Sequence, residues 1–453
     1  MPDRRADPRA VVLDLLAAVE ERSAYANLSL PRLIRDAGLD ARDAALATEL
    51  GYGTLRAAGV LDTFLERCVD RPLDRLDPPV LRLLRLGAYQ ALRTRIPPHA
   101  AVATTVDLAR AGGHGRAAGL VNAVLRRVVV ADWDEWSARV TAGRPVIERL
   151  AMRYAHPSWL ASAFAQALGE QPSASSTSEL TETARALAAD DERPITHLVA
   201  RPGRVTRAEL LAQSDGAPGP WSPYAVRLEH GGDPARIAAV RSGAAAVQDE
   251  GSQLCALALA EAPLAGPDAA WLDLCAGPGG KAALLAALAA ARGARVHANE
   301  LHPHRAELVA AATAGAPVDI TVGDARELPG DGRYDRVLLD APCTGTGALR
   351  RRPEARWRRD PSDLAALTGL QRELLAAALR LVRPGGVVGY VTCSPHLAET
   401  RDVVAGTRPS IVLDDARPLF AALPELGAGP TVQLWPHRHG TDAMFFALLR
   451  RAG

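Results

Sequence analysis

Lysine is nearly missing from this chain. Of its 53 lysine and arginine residues one alone, Lys281, is lysine. A chain that uses arginine everywhere else has used lysine where a compact, rotatable, titratable ammonium differs from a planar fork. Long apolar runs are missing too. None approaches the ~20 residues that span a bilayer, so no membrane partner is expected. The opening, MPDRRADPRAVVLDLLAAVEE, interrupts its apolar positions with charges, as an amphipathic helix does and a signal-peptide core does not. A cytoplasmic protein is expected. The five cysteines, Cys68, Cys255, Cys275, Cys343 and Cys393, are scattered and never spaced as CxxC. That excludes a disulfide framework or zinc site, and no metal is implied. Buried packing or thiol chemistry remains.

What is present is a chain of 453 residues, 48% of them hydrophobic, enough for two or three domains of ~100–200 residues. The net charge of +1 hides basic patches. Arg82 to Arg127 carries eight arginines against Asp107, and Arg350 to Arg359 six against Glu354. Such patches suit a polyanion, although solvated helix faces give the same pattern. Oligomeric state leaves no mark, and a monomer is the default.

From Pro8 to Arg127 apolar residues recur at helical spacing, separated by turn-forming Pro and Gly, which predicts an all-α domain over 1–135. Three segments, ELGYGTLR (49–56), VLRLLRLGAYQ (80–90) and GLVNAVLRR (119–127), resemble the NusB-type RNA-binding helical domain. The resemblance implies RNA or ribonucleoprotein contact. Residues 136–240 read as a small α+β subdomain, with ITHLVARPG and YAVRLEH as short strands. Within it the Ser/Thr-rich stretch 171–183 reads as a flexible insertion. From 241 to 453 strands alternate with helices, predicting a parallel sheet covered on both faces.

CAGPGGK, Cys275 to Lys281, lies between the first of these strands and a helix, where open α/β sheets bind ligands. It is no P-loop, because only Pro278 and Gly279 separate Gly277 from the Gly280-Lys281 pair and Ala282 stands where Ser or Thr would hold magnesium. The looser GxGxxG/A dinucleotide pattern survives, so an NAD(P)-dependent oxidoreductase is one reading. Glu300, just past the second strand, is placed to accept from ribose hydroxyls, and Asp324, past the third, to hold an adenine edge. Asp340 ends the fourth. Any one of these acids could be a helix cap, but three in register with a glycine loop favour a nucleoside site. A sulfonium amino acid joined to adenosine would fit it.

Cys343 follows strand four and Cys393 follows strand five, so both thiols should face one pocket. Carbon 5 of a pyrimidine becomes nucleophilic once a soft nucleophile adds to carbon 6, and a thiol suits that step. A nearby Lys281 cation could lower a thiol's pKa, and Asp340 could hydrogen-bond the amine and ring nitrogen of cytosine. An oxidoreductase would leave both thiols without a role. Chemistry alone does not order the two thiols.

VQDEGSQL (247–254), LDLCAGPGGK (272–281), DAPCTGTGALRRRPEARWRR (340–359), YVTCS (390–394) and LWPHRHGTDAMFFALL (434–449) closely resemble the RNA (cytosine-5) methyltransferases. With the helical domain, the whole resembles their RsmB/Sun type, which modifies 16S ribosomal RNA. The resemblance implies a multidomain fold: an all-α NusB-like domain plus an α/β, Rossmann-like, class I S-adenosylmethionine-dependent methyltransferase domain. It implies that Cys275, Ala276, Gly277, Pro278, Gly279, Gly280 and Lys281, with Glu300, Asp324 and Asp340, bind S-adenosyl-L-methionine. It further implies Cys393 as the nucleophile, Cys343 as the group assisting product release, and 16S ribosomal RNA as the partner. The arginine run suggests RNA contact by Arg350, Arg351, Arg352 and Arg356, with Trp357 stacking a base, since a target cytosine must leave its helix. One departure is local. Pro395 follows TCS, and Ala398-Glu399-Thr400 stands where the family pattern has an acid-asparagine pair. A third reading makes the chain an RNA-binding scaffold with an inactive catalytic domain, against which Lys281, Asp340, Cys343 and Cys393 all stand intact.

Overall fold

The computed structural model describes residues 7–171, 180–229, 231–406 and 411–452; most of the Ser/Thr-rich stretch, 172–179, lies outside them. The chain separates into two compact units, Met1–Glu192 with Leu349–Asp360, and Arg193–Ala348 with Pro361–Gly453. The sequence-based boundaries at 135/136 and 240/241 fall inside these units. Helices after Trp133 join the first because Phe64 packs edge-on to Trp133 at 5.2 Å and stacks on Trp136 at 5.8 Å.

The first unit is helical. α1 (Pro8–Arg22) starts where Asp7 accepts from Arg9 N–H and Pro8 supplies a preset first turn, and it buries Val12, Leu15 and Leu16. α2 (Ala26–Asp36), α3 (Ala41–Glu66), α4 (Pro78–Arg93), α5 (Pro98–Ala111) and α6 (Ala118–Val128) follow. Their inward residues, among them Leu50, Leu61, Phe64, Leu84 and Leu125, form one core with α1.

The second unit holds two sheets. The smaller is antiparallel and contains the two short strands expected from the sequence, Thr196–Ala200 and Ala225–Leu228, paired to each other. The larger contains β1 (Ala270–Asp273), β2 (Arg295–Glu300), β3 (Val318–Val322), β4 (Tyr334–Asp340), β5 (Val382–Thr392), β6 (Ile411–Asp414) and β7 (Phe445–Arg451). Their order is β6-β7-β5-β4-β1-β2-β3. β1 to β5 run parallel, whereas β7 is antiparallel to β5 and β6. The order reverses between β1 and β4, and that switch point opens a crevice at the strands' carboxyl ends. Pro384-Gly385-Gly386, a turn by its sequence, lies within β5, where the β4 register jumps from Tyr334↔Val382 to Arg336↔Val387. β6, unread in the sequence, is a short edge strand with half its residues exposed.

Candidate active site

The glycine loop leaves β1 pinned to both neighbouring strands: Leu274 N–H donates to Leu338 O and Ala276 N–H to Asn299 O, each at 2.9 Å. Gly277 N–H donates to Glu300 Oε2 at 3.0 Å, and a β-carbon on Gly277 would fall 2.3 Å from that same oxygen. Gly279, with φ +106°, caps the helix Gly280–Ala290 in a backbone conformation that side chains resist. A β-carbon there would meet Ala312 Cβ at 2.6 Å. The loop is therefore a backbone cradle with no room for side chains at either glycine. Glu300 is buried and divides its oxygens between Gly277 N–H and His302 N–H.

Asp273, at the end of β1, is a functional candidate that the sequence reading passed over. It is fully buried, and only the Cys275 backbone N–H is turned toward its carboxylate, without forming a full hydrogen bond. Burial, reinforced by the charge of Asp340, pushes its pKa up to about 8. An acid at a strand end immediately before a glycine loop was the available signal.

Lys281, in the first turn of the Gly280–Ala290 helix, donates to Asp340 Oδ2 at 2.8 Å. Burial works to depress its pKa, but the charge and hydrogen bond of Asp340 together with the nearby Cys255 and Cys393 outweigh burial and raise it. Beside this pair the thiols of Cys343 and Cys393 lie 3.5 Å apart. The two differ in their neighbours. The hydrogen bond with Cys343 lowers the Cys393 pKa below its ordinary value, against burial and the Asp340 and Asp442 carboxylates, with Lys281 adding to the lowering. Cys343 is raised by the same hydrogen bond and by burial, with Cys393 and Glu399 adding to the shift. The other three thiols are raised by burial, Cys255 to about 12, and are poor nucleophiles. Glu399, the second residue missed, is fully buried between the two cysteine loops.

Asp324 sits apart from this cluster. It caps the turn Ala325–Glu327 and is gripped by Arg326 through Nε and Nη2, a hydrogen-bonded pairing that lowers its pKa.

Three of the five expected RNA contacts, Arg350, Arg356 and Trp357, need correction. Arg356 is 1% exposed and belongs to the helical unit, where it donates to Asp190 Oδ2 at 2.8 Å and to Ala155 O at 3.0 Å. His156 Nε2 donates to the same oxygen of the Asp190 carboxylate at 2.9 Å. A guanidinium enclosed in that way cannot reach phosphate. Trp357 packs on the α1–α6 core and its Nε1–H donates to Arg56 O at 2.8 Å, so its ring is committed to packing. Arg350 is also buried, whereas Arg351 and Arg352 are half-buried, Arg352 lying 5.0 Å from the Tyr25 ring. The sequence pattern saw arginines around a tryptophan; it could not see Asp190 and Asp191 arriving from a distant helix. No helix among the described residues is long and apolar enough to cross a membrane.

With this geometry the comparisons with known proteins agree. The family model for 16S rRNA methyltransferase RsmB/F matches residues 262–450, and that of the NusB family matches residues 6–130. A Mycobacterium tuberculosis protein with a provisional methyltransferase name is 54% identical over 457 residues, covering 99% of this chain and 98% of its own. Ribosomal RNA small subunit methyltransferase B of Sodalis glossinidius is 34% identical, covering 97% of this chain and 96% of its own. The crystal structure of PH0851 superposes with a TM-score of 0.80 at 23% identity, over 98% of this chain and 99% of that one, a likeness of fold. The glycine cradle, the paired thiols and full-length identity above the level of chance place this chain in the RsmB/F family of 16S rRNA methyltransferases.

Proposed function

We propose that the chain transfers a methyl group from S-adenosyl-L-methionine to carbon 5 of a cytosine in 16S ribosomal RNA, through a covalent bond between Cys393 and carbon 6. The observation that carries this reading is the 3.5 Å thiol pair beside the Lys281–Asp340 ion pair.

The residues present fit the cofactor. Gly277 and Gly279 let the loop backbone pack directly against Glu300 and Ala312, where a β-carbon would collide, and Asp273 offers a buried carboxyl group, without a full hydrogen bond, suited to an ammonium group. Glu300 keeps lone pairs for ribose hydroxyls, and Asp324 is assigned the adenine edge. When bound, S-adenosylmethionine supplies an electrophilic methyl group. The chain's own residues do the rest. Cys393, ionised more readily than its partner, adds to carbon 6 and pushes the ring's electrons to carbon 5. Asp340 accepts from the exocyclic amine, and Lys281 holds Asp340 in place and favours the Cys393 thiolate. Once carbon 5 carries the methyl group, a base takes the carbon 5 proton, the C–H electron pair reforms the 5,6 double bond and Cys393 departs as thiolate. Cys343 assists that release. Arg351 and Arg352 remain as candidate backbone contacts.

The test is transfer of labelled methyl from S-adenosylmethionine to 16S ribosomal RNA, followed by nucleoside digestion. Label in 5-methylcytidine supports the proposal; label in another nucleoside, or none, refutes it.

A further inference from the structure

The proposed chemistry leaves Glu399 without a role, although it sits, 0% exposed, in the turn Leu397–Glu399 after β5. Its Oε1 accepts from Thr344 N–H at 2.8 Å and from Gln371 Nε2 at 3.1 Å. Its Oε2 accepts from the hydroxyls of Thr344 and Ser394, both at 2.6 Å. Thr344 follows Cys343 and Ser394 follows Cys393, so one carboxylate ties down the residue after each thiol. Gln371 also donates to Pro342 O at 2.8 Å, which holds the residue before Cys343. Hydrogen bonds to a charged acceptor are the stronger kind, and here four converge on one group.

The charge is placed unevenly. Cys343 faces Glu399 as well as Cys393, whereas Cys393 faces Lys281, Asp340 and Asp442 as well as Cys343. Tyr390 and His396 face Glu399 itself, Tyr390 through a hydroxyl bonded to the Glu399 backbone oxygen at 2.8 Å, and Arg372 and Asp402 stand behind them. The Glu399 carboxylate disfavours a thiolate at Cys343, whereas at Cys393 the Lys281 ammonium works against the Asp340 and Asp442 carboxylates, so Glu399 is the charge that sets Cys343 apart.

We propose that Glu399 is a positioning residue that decides which of the two thiols attacks, by locking the Cys343 and Cys393 loops at one spacing and setting its negative charge beside Cys343. This rests on the reading of Cys393 as nucleophile. The replacement of an acid-asparagine pair by Glu399-Thr400 leaves this acid as the tether, with Thr400 bonded to His396 O at 2.9 Å.

The test is alkylation of the full chain with iodoacetamide at low conversion between pH 6 and 9.5, read at each cysteine by mass spectrometry, with no RNA or cofactor present. In the wild type Cys393 is expected to label about tenfold faster than Cys343 at pH 7, since rate follows the thiolate fraction. In Glu399→Gln, which keeps shape and loses charge, the ratio should fall to about threefold or less as the Cys343 profile moves to lower pH. Glu399→Asp, which keeps the charge, should hold the ratio above that of Glu399→Gln. Should Glu399→Gln fail to fold, Glu399→Asp decides alone: retained preference for Cys393 supports the proposal, and equal labelling overturns it. A folded Glu399→Gln with wild-type ratio and profiles also overturns it. A wild type that labels Cys343 faster instead overturns the nucleophile assignment, a separate failure.

Discussion

Lys281 Nζ lies 2.8 Å from Asp340 Oδ2, so the helix that opens at the glycine loop is joined to the end of β4 by the chain's one lysine. The Lys281 side chain is 11% exposed, which leaves little room for a larger head group. Lys281→Arg should therefore fold normally yet lose methyl transfer by about a hundredfold or more, because a planar fork cannot occupy the place of a compact point charge. Single-turnover rates of the two proteins check this. Wild-type turnover in Lys281→Arg would mean that charge alone is required.

Gly277 has no room for a methyl group against Glu300. Gly277→Ala should push the loop away from β2 and weaken S-adenosylmethionine binding by about tenfold or more, with loss of the binding energy of roughly one to two hydrogen bonds. Calorimetric titration of the cofactor reads it directly, and unchanged affinity would show that the loop backbone is not the cradle.

Asp273 predicts a stability effect with a definite sign. Its carboxyl has an ordinary value of 3.8 and is raised to about 8 in the fold, so between these values the folded chain holds a proton that the unfolded chain gives up. That contribution to stability is fully present below pH 3.8, declines as pH rises, and is lost above pH 8, at most roughly 1.4 kcal/mol per pH unit. Asp273→Asn should remove this slope, making the cofactor-free protein less sensitive than wild type to a change from pH 5 to pH 8. It should also weaken cofactor binding. Urea midpoints at the two pH values test the first part, and parallel shifts in wild type and variant would contradict it.

Arg356 predicts loss of stability rather than loss of RNA contact. Arg356→Ala leaves Asp190 buried without its ion-pair partner, a change that costs about 3–5 kcal/mol in comparable sites. Urea unfolding of the helical unit should show it. Arg352→Ala, at a half-buried position, should instead leave stability nearly unchanged and lower the salt dependence of RNA binding.

Much of the catalytic sheet was legible because β1, β4 and β5 carry apolar runs, β2 and β3 alternate with period two, and chemistry-bearing residues stand at or just past the end of each. Glycine spacing excluded the P-loop, and the placement of Cys343 and Cys393 after adjacent strands anticipated their meeting. β6 escaped because its apolar stretch, Ile411 to Leu413, is only three residues long, too short to separate a strand from a turn of helix. Arg356 and Trp357 misled because a basic-aromatic run reads alike whether it faces a polyanion or a buried carboxylate, and the partners Asp190 and Asp191 lie more than a hundred positions away. Glu399 escaped because its role depends on Thr344 and Gln371, which reach it only in the folded chain.

The most direct measurement is a denaturing gel of wild type, Cys343→Ala and Cys393→Ala after incubation with 16S ribosomal RNA and S-adenosylmethionine. A slow-migrating covalent RNA adduct in Cys343→Ala alone, with Cys393→Ala inactive, is the predicted result. An adduct in Cys393→Ala would exchange the two thiols, and three indistinguishable lanes would contradict the covalent cytosine-5 mechanism.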